Sequence, residues 1–575
     1  MRFALLVAAA AALFLTAGSA SAAKLRLLPG MTYDRQVQQT SEGRIVAHII
    51  TAPRPGGLYE LKPVLGQERV KGREKVTDMQ KRLAPLATAA GVNGDLFNFT
   101  TGHPSGIVFN DGQLVSRPIG GRSSLGVGVD GMLRIARIRY FGSIQLGDAK
   151  KHPIHDFNRP LERNAVGLFT PVWAARTPRV KGALDIVLAG QPAATPNIDL
   201  PSTMVRKRRG GGTLIPRDGA VLQATGFWAD ILGREAGLGL PAVARLILKP
   251  WWENAASALG GGPVIVRAGS AIPGAEEEFS PSQLFPRHPR TAIGQLENGR
   301  ILLVAVDGRR AGSVGVNVPE LAGLMVKLGA VTAMALDAGG STTIAFDGRV
   351  LNNPSGGAER AVGNALMVAY YGAYVQPAQH RVASPNGDGF ADFQRLRYRL
   401  PRPSTINARL FAPDGSLVFQ EEGDREAGSY ELLLDGREGV PALTEGRWRF
   451  SLSATDSDGA TSAMDRRFFV DNTLRKIKLS RRNVALHPRR GGKLRVRFRL
   501  SRGAAVRVAI EDTRGNVVRV LSRRRLAEGQ NTLVWNGRVR KGAVARVGRY
   551  RVRILAKSSV GKSELFADVV VRRRK

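Results

Sequence analysis

Two aspartates stand at the ends of apolar segments, where a carboxylate can act as an acid, a base or a nucleophile. Asp307 follows residues 301–306, and Asp337 follows residues 333–336. Paired carboxylates cleave glycosidic bonds, and these two would lie at one sheet edge if their strands were neighbours. The alternative for each is a turn aspartate that caps its own loop.

Asp337 is followed by a turn that contains Gly339, Gly340, Ser341 and Thr342. Glycines let a backbone approach a ligand closely, and several N–H groups can then face an anion. The turn is therefore a candidate anion site.

Other polar residues lie next to apolar segments in the same way. Arg290 precedes such a segment, and its guanidinium could bind a phosphate through two hydrogen bonds. Asn93 and Asp95 follow another segment, and Asn352 lies in the sequence Leu-Asn-Asn-Pro-Ser. The alternatives are a solvated or ion-paired arginine, and a simple turn between two strands at Asn93 and Asp95.

The segments that carry these residues alternate between strand and helix patterns. Residues 301–306 and 333–336 are apolar throughout, which is typical of strands buried on both faces. Residues 319–328 have helical spacing, with Pro319 near the start and Gly329 at the end. The pattern predicts a strand–helix–strand unit, within an α+β domain over residues 24–375 that combines a mixed sheet with helices.

The rest of the chain has a different pattern. Residues 380–472 and 473–575 contain short segments that alternate apolar and polar residues, as in residues 493–500. The two blocks repeat each other, since residues 407–415 resemble 505–515 and residues 446–450 resemble 548–552. This predicts two all-β immunoglobulin-like sandwich modules.

Residues 1–22 have the features of a secretory signal peptide. Arg2 precedes a short apolar segment, and Ala20-Ser21-Ala22 forms a cleavage site. A membrane anchor is the alternative, but the segment is too short to span a bilayer comfortably. We therefore expect a secreted, extracytoplasmic protein, with the cell envelope as a candidate location.

The net charge of +38 predicts an anionic partner. For an exported chain, anionic envelope polymers or lipids fit as well as nucleic acid, and an aromatic fraction of 6% disfavours a platform that stacks single-stranded bases. No specific nucleic-acid partner is expected. A compositional bias toward arginine is the alternative explanation.

The composition also limits the cofactors. The chain has no cysteine, seven histidines and no H-E-x-x-H motif, so a zinc site is not expected. Asn386, Asp388 and Asp392 place oxygen atoms as a calcium loop does, without the distal glutamate of an EF-hand. A tight inter-domain turn is the alternative. No cofactor is expected to be required.

Taken in order, the motifs of residues 31–370 resemble the phosphodiester glycosidase family. The resemblance rests on Asn93-Gly94-Asp95-Leu96-Phe97, Gly261-Gly262-Pro263 and a long stretch from Arg290 to Leu366. It implies hydrolysis of a sugar–phosphate phosphodiester on its glycosidic side. The family usually has three glycines after the aspartate that matches Asp337, whereas this chain has Ala338 first. The two sandwich modules, residues 380–472 and 473–575, resemble flagellar hook-assembly immunoglobulin-like domains through residues 384–389 and 534–538.

The resemblance also assigns roles. It places the candidate residues of these motifs at or near the active site, and we expect Arg290 and the backbone N–H groups of residues 339–342 to bind the phosphate. The predicted catalytic residues are Asp337, Asp307 and Arg290, and the predicted substrate-binding residues are Asn93, Asp95, Gly339, Gly340, Ser341, Thr342 and Asn352.

The resulting prediction is an exported hydrolase that cleaves a sugar-1-phosphodiester in envelope or exopolysaccharide glycans. The two sandwich modules are candidates for attachment to the envelope. The alternative is a non-catalytic glycan- or polyanion-binding envelope protein that retains the same fold.

Overall fold

A computed structural model describes residues 24–272, 277–387, 391–436, 442–486, 492–539 and 542–573. The predicted signal peptide and Asp388 lie outside these residues. The described residues are mostly strand, with 42 strands and four α-helices. They form two compact units, one ending at Tyr371 and the other beginning at Gly372.

The elements of the first unit are numbered here in chain order. Its first strands are β1 (Leu25–Leu28), β2 (Met31–Thr40), β3 (Gly43–Ala52), β4 (Tyr59–Leu65), β5 (Thr88–Asn93), β6 (Val108–Asn110), β7 (Gln113–Ser116), β8 (Ser123–Gly128), β9 (Leu133–Arg137), β10 (Arg139–Leu146), β11 (His152–Ile154), β12 (Asp156–Phe157) and β13 (Val166–Phe169). Its later strands are β14 (Arg179–Ala189), β15 (Asp199–Gly211), β16 (Gly219–Ala224), β17 (Pro241–Lys249), β18 (Ala255–Gly260), β19 (Val264–Arg267), β20 (Ser270–Ala271), β21 (Arg290–Leu296), β22 (Ile301–Val306), β23 (Ala330–Ala335), β24 (Ile344–Phe346), β25 (Arg349–Val350) and β26 (Asn364–Tyr370). The helices are α1 (Val76–Leu83), α2 (Phe227–Glu235), α3 (Pro281–Leu284) and α4 (Val318–Lys327).

The largest sheet near the predicted site has the order β1-β2-β3-β22-β21-β23-β19-β20. β21 pairs antiparallel with both β22 and β23, so these two strands run in the same direction on either side of it. The chain reaches β23 from β22 through α4, which confirms the predicted strand–helix–strand unit. The two strands are not neighbours because β21 lies between them. Every pairing in this sheet is antiparallel.

α4 forms where the sequence supplies both a cap and an apolar face. The Asn317 side chain accepts a hydrogen bond from the Glu320 N–H at 2.8 Å, and the Glu320 carboxylate accepts one from the Asn317 N–H at 2.9 Å. Leu321 and Met325 are fully buried in the core beneath the helix. The helix is followed by Gly329, whose φ of 88° is in the left-handed region.

Three further sheets complete the first unit. The sheet β25-β24-β5-β26-β4 carries Asn93 at the end of β5, and the sheet β7-β6-β18-β8-β9 contains the strand before Gly261. The sheet β11-β10-β17-β15-β14-β16-β13-β12 has an apolar core of its own. Trp173 is 2% exposed and packs in a neighbouring cluster, so its ring serves the core.

The second unit contains strands only. They are β27 (Tyr374–Val375), β28 (Val382–Ala383), β29 (Gln394–Leu400), β30 (Ser404–Phe411), β31 (Leu417–Arg425), β32 (Gly428–Leu434), β33 (Gly446–Asp456), β34 (Thr461–Val470), β35 (Leu474–Leu479), β36 (Asn483–Leu486), β37 (Leu494–Leu500), β38 (Ala504–Asp512), β39 (Val517–Leu526), β40 (Gly529–Trp535), β41 (Gly548–Lys557) and β42 (Lys562–Arg573). This statement concerns the described residues from 372 onward.

The strands of the second unit form the same arrangement twice. The three-stranded sheet β27-β29-β32 accompanies the five-stranded sheet β28-β34-β33-β30-β31, and β35-β37-β40 accompanies β36-β42-β41-β38-β39. In the second copy, one apolar cluster draws residues such as Phe498, Trp535 and Ile554 from both sheets. The apolar residues of the alternating pattern therefore face inward and form the core.

Two residues of the predicted calcium loop fall in the described part of the chain. Asp392 accepts hydrogen bonds from the N–H groups of Asn386 at 2.9 Å and Gly387 at 2.7 Å. The Asn386 side chain donates to the backbone oxygen of Glu564 at 3.1 Å. These contacts are those of a tight turn between the two modules, and calcium binding stays a prediction. Across the described residues, we find no helix that is long and apolar enough to cross a membrane.

Candidate functional site

The start of β21 and the ends of β22 and β23 meet at one edge of the large sheet. Arg290 pairs with Val306, and Ala292 pairs with Ala335. Asp307 and Asp337 therefore follow the two strands that flank Arg290. The predicted shared edge exists, although one strand separates the two aspartates.

A cavity of about 300 Å³ opens at this edge. Its charged or titratable lining residues are Asp337, Arg290, Arg309, Arg360 and His288. Three guanidinium groups thus surround one carboxyl group. This balance of charge favours an anionic ligand.

Asp337 is 9% exposed, and burial raises the pKa of its carboxyl group to about 6. Hydrogen bonds from Ser341 and from the Ala338 N–H, which lies at 2.8 Å, favour the ionised form, as does the charge of Arg360. Asp337 is therefore mostly ionised at neutral pH and becomes protonated as the pH falls through about 6.

Asp95 is a second buried carboxyl group close to Asp337. Burial, with a contribution from the charge of Asp337, raises its pKa to about 7, although the Gly106 N–H at 2.5 Å and Arg122 oppose the shift. A Cβ atom would lie 2.8 Å from Asp95 Oδ2 at Gly106 and 2.6 Å from it at Gly260, so the two glycines make room for the carboxyl group. Two interacting carboxyl groups thus titrate near neutral pH.

Arg290 is 7% exposed, and its guanidinium is held by backbone carbonyls. It donates to the oxygen of Pro286 at 2.9 Å and to that of Val316 at 3.2 Å. Burial and the charge of Arg309 lower the pKa of Arg290 to about 10, so it remains a cation at neutral pH. No carboxylate among the described residues forms an ion pair with it, which leaves its charge available to a ligand.

Arg309 and His288 form a second pair in the lining. Arg309 Nε donates to His288 Nδ1 at 3.2 Å. Burial lowers the pKa of His288, and the charges of Arg309 and Arg290 lower it further, so the ring is neutral at neutral pH. With Nδ1 accepting, the ring proton is on Nε2, which can donate to a ligand.

Arg360 reaches the cavity from the loop before β26. It donates to Ser341 Oγ at 3.3 Å, and its guanidinium lies over the ring of Phe99, 5.3 Å from the centroid. Arg309, Arg360 and His288 are not among the site residues predicted from the sequence. His288 and Arg309 stand next to selected motifs, whereas no pattern marks Arg360.

Asp307 lies at this sheet edge but is not among the residues that line the cavity. Its carboxylate accepts from the Asn353 N–H at 2.9 Å and contacts His48 Nε2 at 3.1 Å. His48 Nδ1 in turn contacts the Tyr33 hydroxyl at 2.8 Å. These partners tie Asp307 to the loop after β25, and its catalytic role stays a prediction.

Asn93 and Asn352 hold the turn after β23 from inside the protein. Asn93 Nδ2 donates to the backbone oxygen of Asp337 at 2.7 Å, and its Oδ1 accepts from Thr291 Oγ1 at 2.8 Å. Asn352 Nδ2 donates to the Thr342 oxygen at 3.1 Å. These contacts position the turn, and substrate binding by the two residues stays a prediction.

The turn itself differs from the predicted anion site. The N–H of Gly339 donates to the Pro289 oxygen at 2.8 Å, that of Ser341 to Ala338 at 3.4 Å and that of Thr342 to Gly339 at 3.2 Å. Three of the four predicted phosphate donors are thus used within the protein, because the chain closes into a 3-10 turn over Gly339–Ser341. Of that predicted set, only the N–H of Gly340 lacks such a bond among the described residues.

Ala338 is compatible with this turn. Its φ of −122° is extended backbone, so alanine costs nothing there, while Gly339 has a φ of 67°. Gly340 provides space, since a Cβ atom on it would lie 2.2 Å from Arg360 Nη2. We find no group of three or more His, Asp or Glu residues suited to a metal within the described ranges.

Comparison with known families supports the resemblance for part of the chain. Residues 198–369 match the phosphodiester glycosidase family, and residues 486–559 match the FlgD Ig-like domain. The first match begins at residue 198, so the expected span from residue 31 is longer than the matched one. Asn93 and Asp95 lie outside it.

One curated relative and two solved structures illustrate the likeness. The SPbeta prophage-derived uncharacterized protein YomE of Bacillus subtilis (strain 168) is 40% identical over 135 residues, which are 23% of this chain and 21% of that protein. A hypothetical protein from Synechocystis is 23% identical with a TM-score of 0.52, and the alignment covers 60% of this chain and 63% of that one. It shows a shared fold.

The second structure is the catalytic domain of zebrafish N-acetylglucosamine-1-phosphodiester alpha-N-acetylglucosaminidase, auto-inhibited by its pro-peptide. It is 15% identical with a TM-score of 0.31, and the alignment covers 61% of this chain and 87% of that one. At this similarity it adds no argument about the present chain.

Proposed function

We propose that this protein is a hydrolase that cleaves the glycosidic bond of a sugar-1-phosphodiester. The match of residues 198–369 to the phosphodiester glycosidase family supports a glycosidase-type hydrolase. The observation that carries the proposal is the cavity in which Arg290, Arg309 and Arg360 surround Asp337.

The three arginines account for binding of the phosphodiester. A phosphodiester carries one negative charge, and guanidinium groups bind phosphate oxygens through paired N–H donors. Two of these arginines are fixed before substrate arrives, Arg290 by backbone carbonyls and Arg309 by His288. Fixed donors lose little entropy on binding and stabilise the charge that develops as the phosphate leaves.

Asp337 is the carboxylate of this cavity that can act on the sugar. In the proposed step, the oxygen of a water molecule attacks the anomeric carbon while the bond from that carbon to the phosphate oxygen breaks. Asp337 takes a proton from the water, and the phosphate monoester leaves with the bonding electrons. The arginines stabilise the leaving phosphate, so protonation of the leaving oxygen matters less than in ordinary glycosidases.

Asp95 sets the charge state of this pair. Because each ionised carboxylate disfavours ionisation of the other, Asp95 retains its proton when Asp337 is ionised. We assign the base to Asp337 because it lines the cavity, whereas Asp95 lies between Gly106 and Gly260.

Release of sugar from a nucleotide sugar, a soluble compound in which a diphosphate diester is attached to the anomeric carbon, tests the proposal. Asp337→Asn should reduce kcat by about 100-fold or more, since it removes the base without adding bulk. Wild-type activity should fall as the pH drops through about 6, where Asp337 becomes protonated. Asp307→Asn is the matched control and should retain far more activity, because Asp307 does not line the cavity.

Near-normal turnover by Asp337→Asn, with the fold intact by circular dichroism, would rule out this assignment. Export and action on envelope or exopolysaccharide glycans belong to the same proposal. The charge of +38 supports an anionic polymer as the source of the substrate. A non-catalytic glycan-binding protein is the alternative, and it predicts no release of sugar by any variant.

A further inference from the structure

The second unit carries a cluster of arginine and lysine side chains on one sheet face. In the sheet β35-β37-β40, Arg495, Arg497 and Arg499 alternate with the buried residues of β37 and are all exposed. Alternate residues of a strand point to one face and are about 7 Å apart, so the three guanidinium groups form a row.

β35 adds two more cations to this row. Arg475 pairs with Arg499, and Lys478 pairs with Arg497. We call Arg475, Lys478, Arg495, Arg497 and Arg499 the basic face. Like charges directly opposite each other on neighbouring strands destabilise a sheet, so this arrangement has a cost in folding free energy.

The other neighbour of β37 does not neutralise these charges. The residues of β40 opposite the row are Gln530, Thr532 and Val534. Within the described part of the chain, no Asp or Glu forms an ion pair with any residue of the basic face.

The first module of the same unit has a corresponding row that is partly neutralised. β29 and β32 pair in the same register as β37 and β40, so Arg397 corresponds to Arg497 and Glu431 corresponds to Thr532. Glu431 forms ion pairs with Arg397 at 2.8 Å and with Arg395 at 3.1 Å. One copy of the module therefore has a carboxylate at the position where the other has a threonine.

We propose that the basic face binds an anionic polysaccharide that carries phosphate groups along its length. A row of cations can engage several charges of one polymer at once, which makes many weak contacts effective together. The basic face offers no exposed aromatic ring for base stacking, because Phe498 and Trp535 point into the core. This chemistry favours a glycan over single-stranded nucleic acid, and binding does not depend on catalysis in the first unit.

The test measures binding of the full-length protein to fluorescently labelled dextran phosphate, a polysaccharide that carries phosphate groups, at low salt. Thr532→Glu places a carboxylate opposite Arg497, as Glu431 lies opposite Arg397, and should weaken binding by about tenfold or more. Thr513→Glu is the matched control, since it makes the same change in net charge in the turn after β38. It should bind as the wild type does.

Further variants and probes separate the outcomes. Arg497→Gln should weaken binding, whereas Arg397→Gln in the partly neutralised row should not. Neutral dextran should not bind. Equal loss in Thr532→Glu and Thr513→Glu would overturn the proposal, because net charge alone would then govern binding. Tighter binding of a single-stranded oligodeoxynucleotide than of dextran phosphate would also overturn it.

Discussion

At the scale of single residues, the site depends on two carboxyl groups that the fold keeps out of water. The pKa is raised to about 7 at Asp95 and to about 6 at Asp337, mainly by burial. In the unfolded chain both groups would have ordinary values near 4. The native state therefore binds more protons than the unfolded state between about pH 4 and pH 7, and its stability falls as the pH rises through that range.

This linkage predicts that Asp95→Asn stabilises the protein at high pH. The amide keeps an oxygen that can accept the Gly106 hydrogen bond and removes the buried charge. The melting temperature of the first unit should rise by a few degrees at about pH 8 and change little at about pH 4, where Asp95 is already neutral. Thermal unfolding followed by circular dichroism at both pH values gives the answer. An equal rise in melting temperature at both pH values would show that the charge of Asp95 is not the cause.

The residues of the site could be found from the sequence only where a strand ends next to them. Asp337 and Arg290 flank apolar segments, and both line the cavity. Asp307 has the same pattern, yet His48 and Asn353 occupy its carboxylate, and these partners come from distant parts of the chain. Arg360 lies in an irregular loop where no periodicity exists, so only the folded structure shows its position.

At the scale of elements, side chains inside the protein join the strands that build the site. Asn93 ends β5, and its Oδ1 accepts from Thr291 Oγ1 on β21 and from the Thr343 N–H at 3.0 Å. Its Nδ2 donates to the Asp337 oxygen. One buried amide thus connects both sheets to the turn that carries the base.

We expect Asn93→Ala to loosen this connection. Loss of three buried hydrogen bonds should destabilise the first unit by about 2–4 kcal/mol and should reduce kcat more than it raises KM. Chemical denaturation and steady-state kinetics on a nucleotide sugar measure the two effects. Thr177→Ala, which removes a buried hydroxyl bonded to Asp185 in another sheet, is the control, and it should affect stability alone. If kcat were unchanged in Asn93→Ala, Asn93 would have no positioning role.

The sequence predicts individual helices and strands better than it predicts the order of the strands in the sheets. The apolar face and the Asn317–Glu320 cap are local, so α4 and its flanking strands were predicted correctly. The position of β21 between β22 and β23 depends on pairings across the whole first unit. The alternating pattern also predicts the strands of the second unit. That no carboxylate lies opposite Arg497 in the described sheet depends on the register of the strands, which the pattern does not give.

At the scale of the whole molecule, the proposed cavity and the basic face would act on the same kind of polymer. In the proposed function the cavity would hold a single phosphodiester, whereas the basic face would bind repeated phosphates and raise the local concentration of substrate near the enzyme. Such help matters for a polymer and is irrelevant for a small substrate. A change of charge at the basic face should therefore affect hydrolysis of a polymer and leave hydrolysis of a small substrate unchanged.

This difference predicts the behaviour of Thr532→Glu with two substrates. Its kcat/KM on a soluble nucleotide sugar should equal that of the wild type, because Thr532 is far in sequence from every residue of the cavity and exposed. On a polymer with sugar-1-phosphodiester linkages, its kcat/KM should be several-fold lower at low salt. Added salt should bring the wild type down to the level of the variant, since exposed charges are screened within about 10 Å at 0.1 M. If the variant lost activity on both substrates, the two sites would not be separable. If it kept full activity on both, the basic face would have no part in catalysis on polymers.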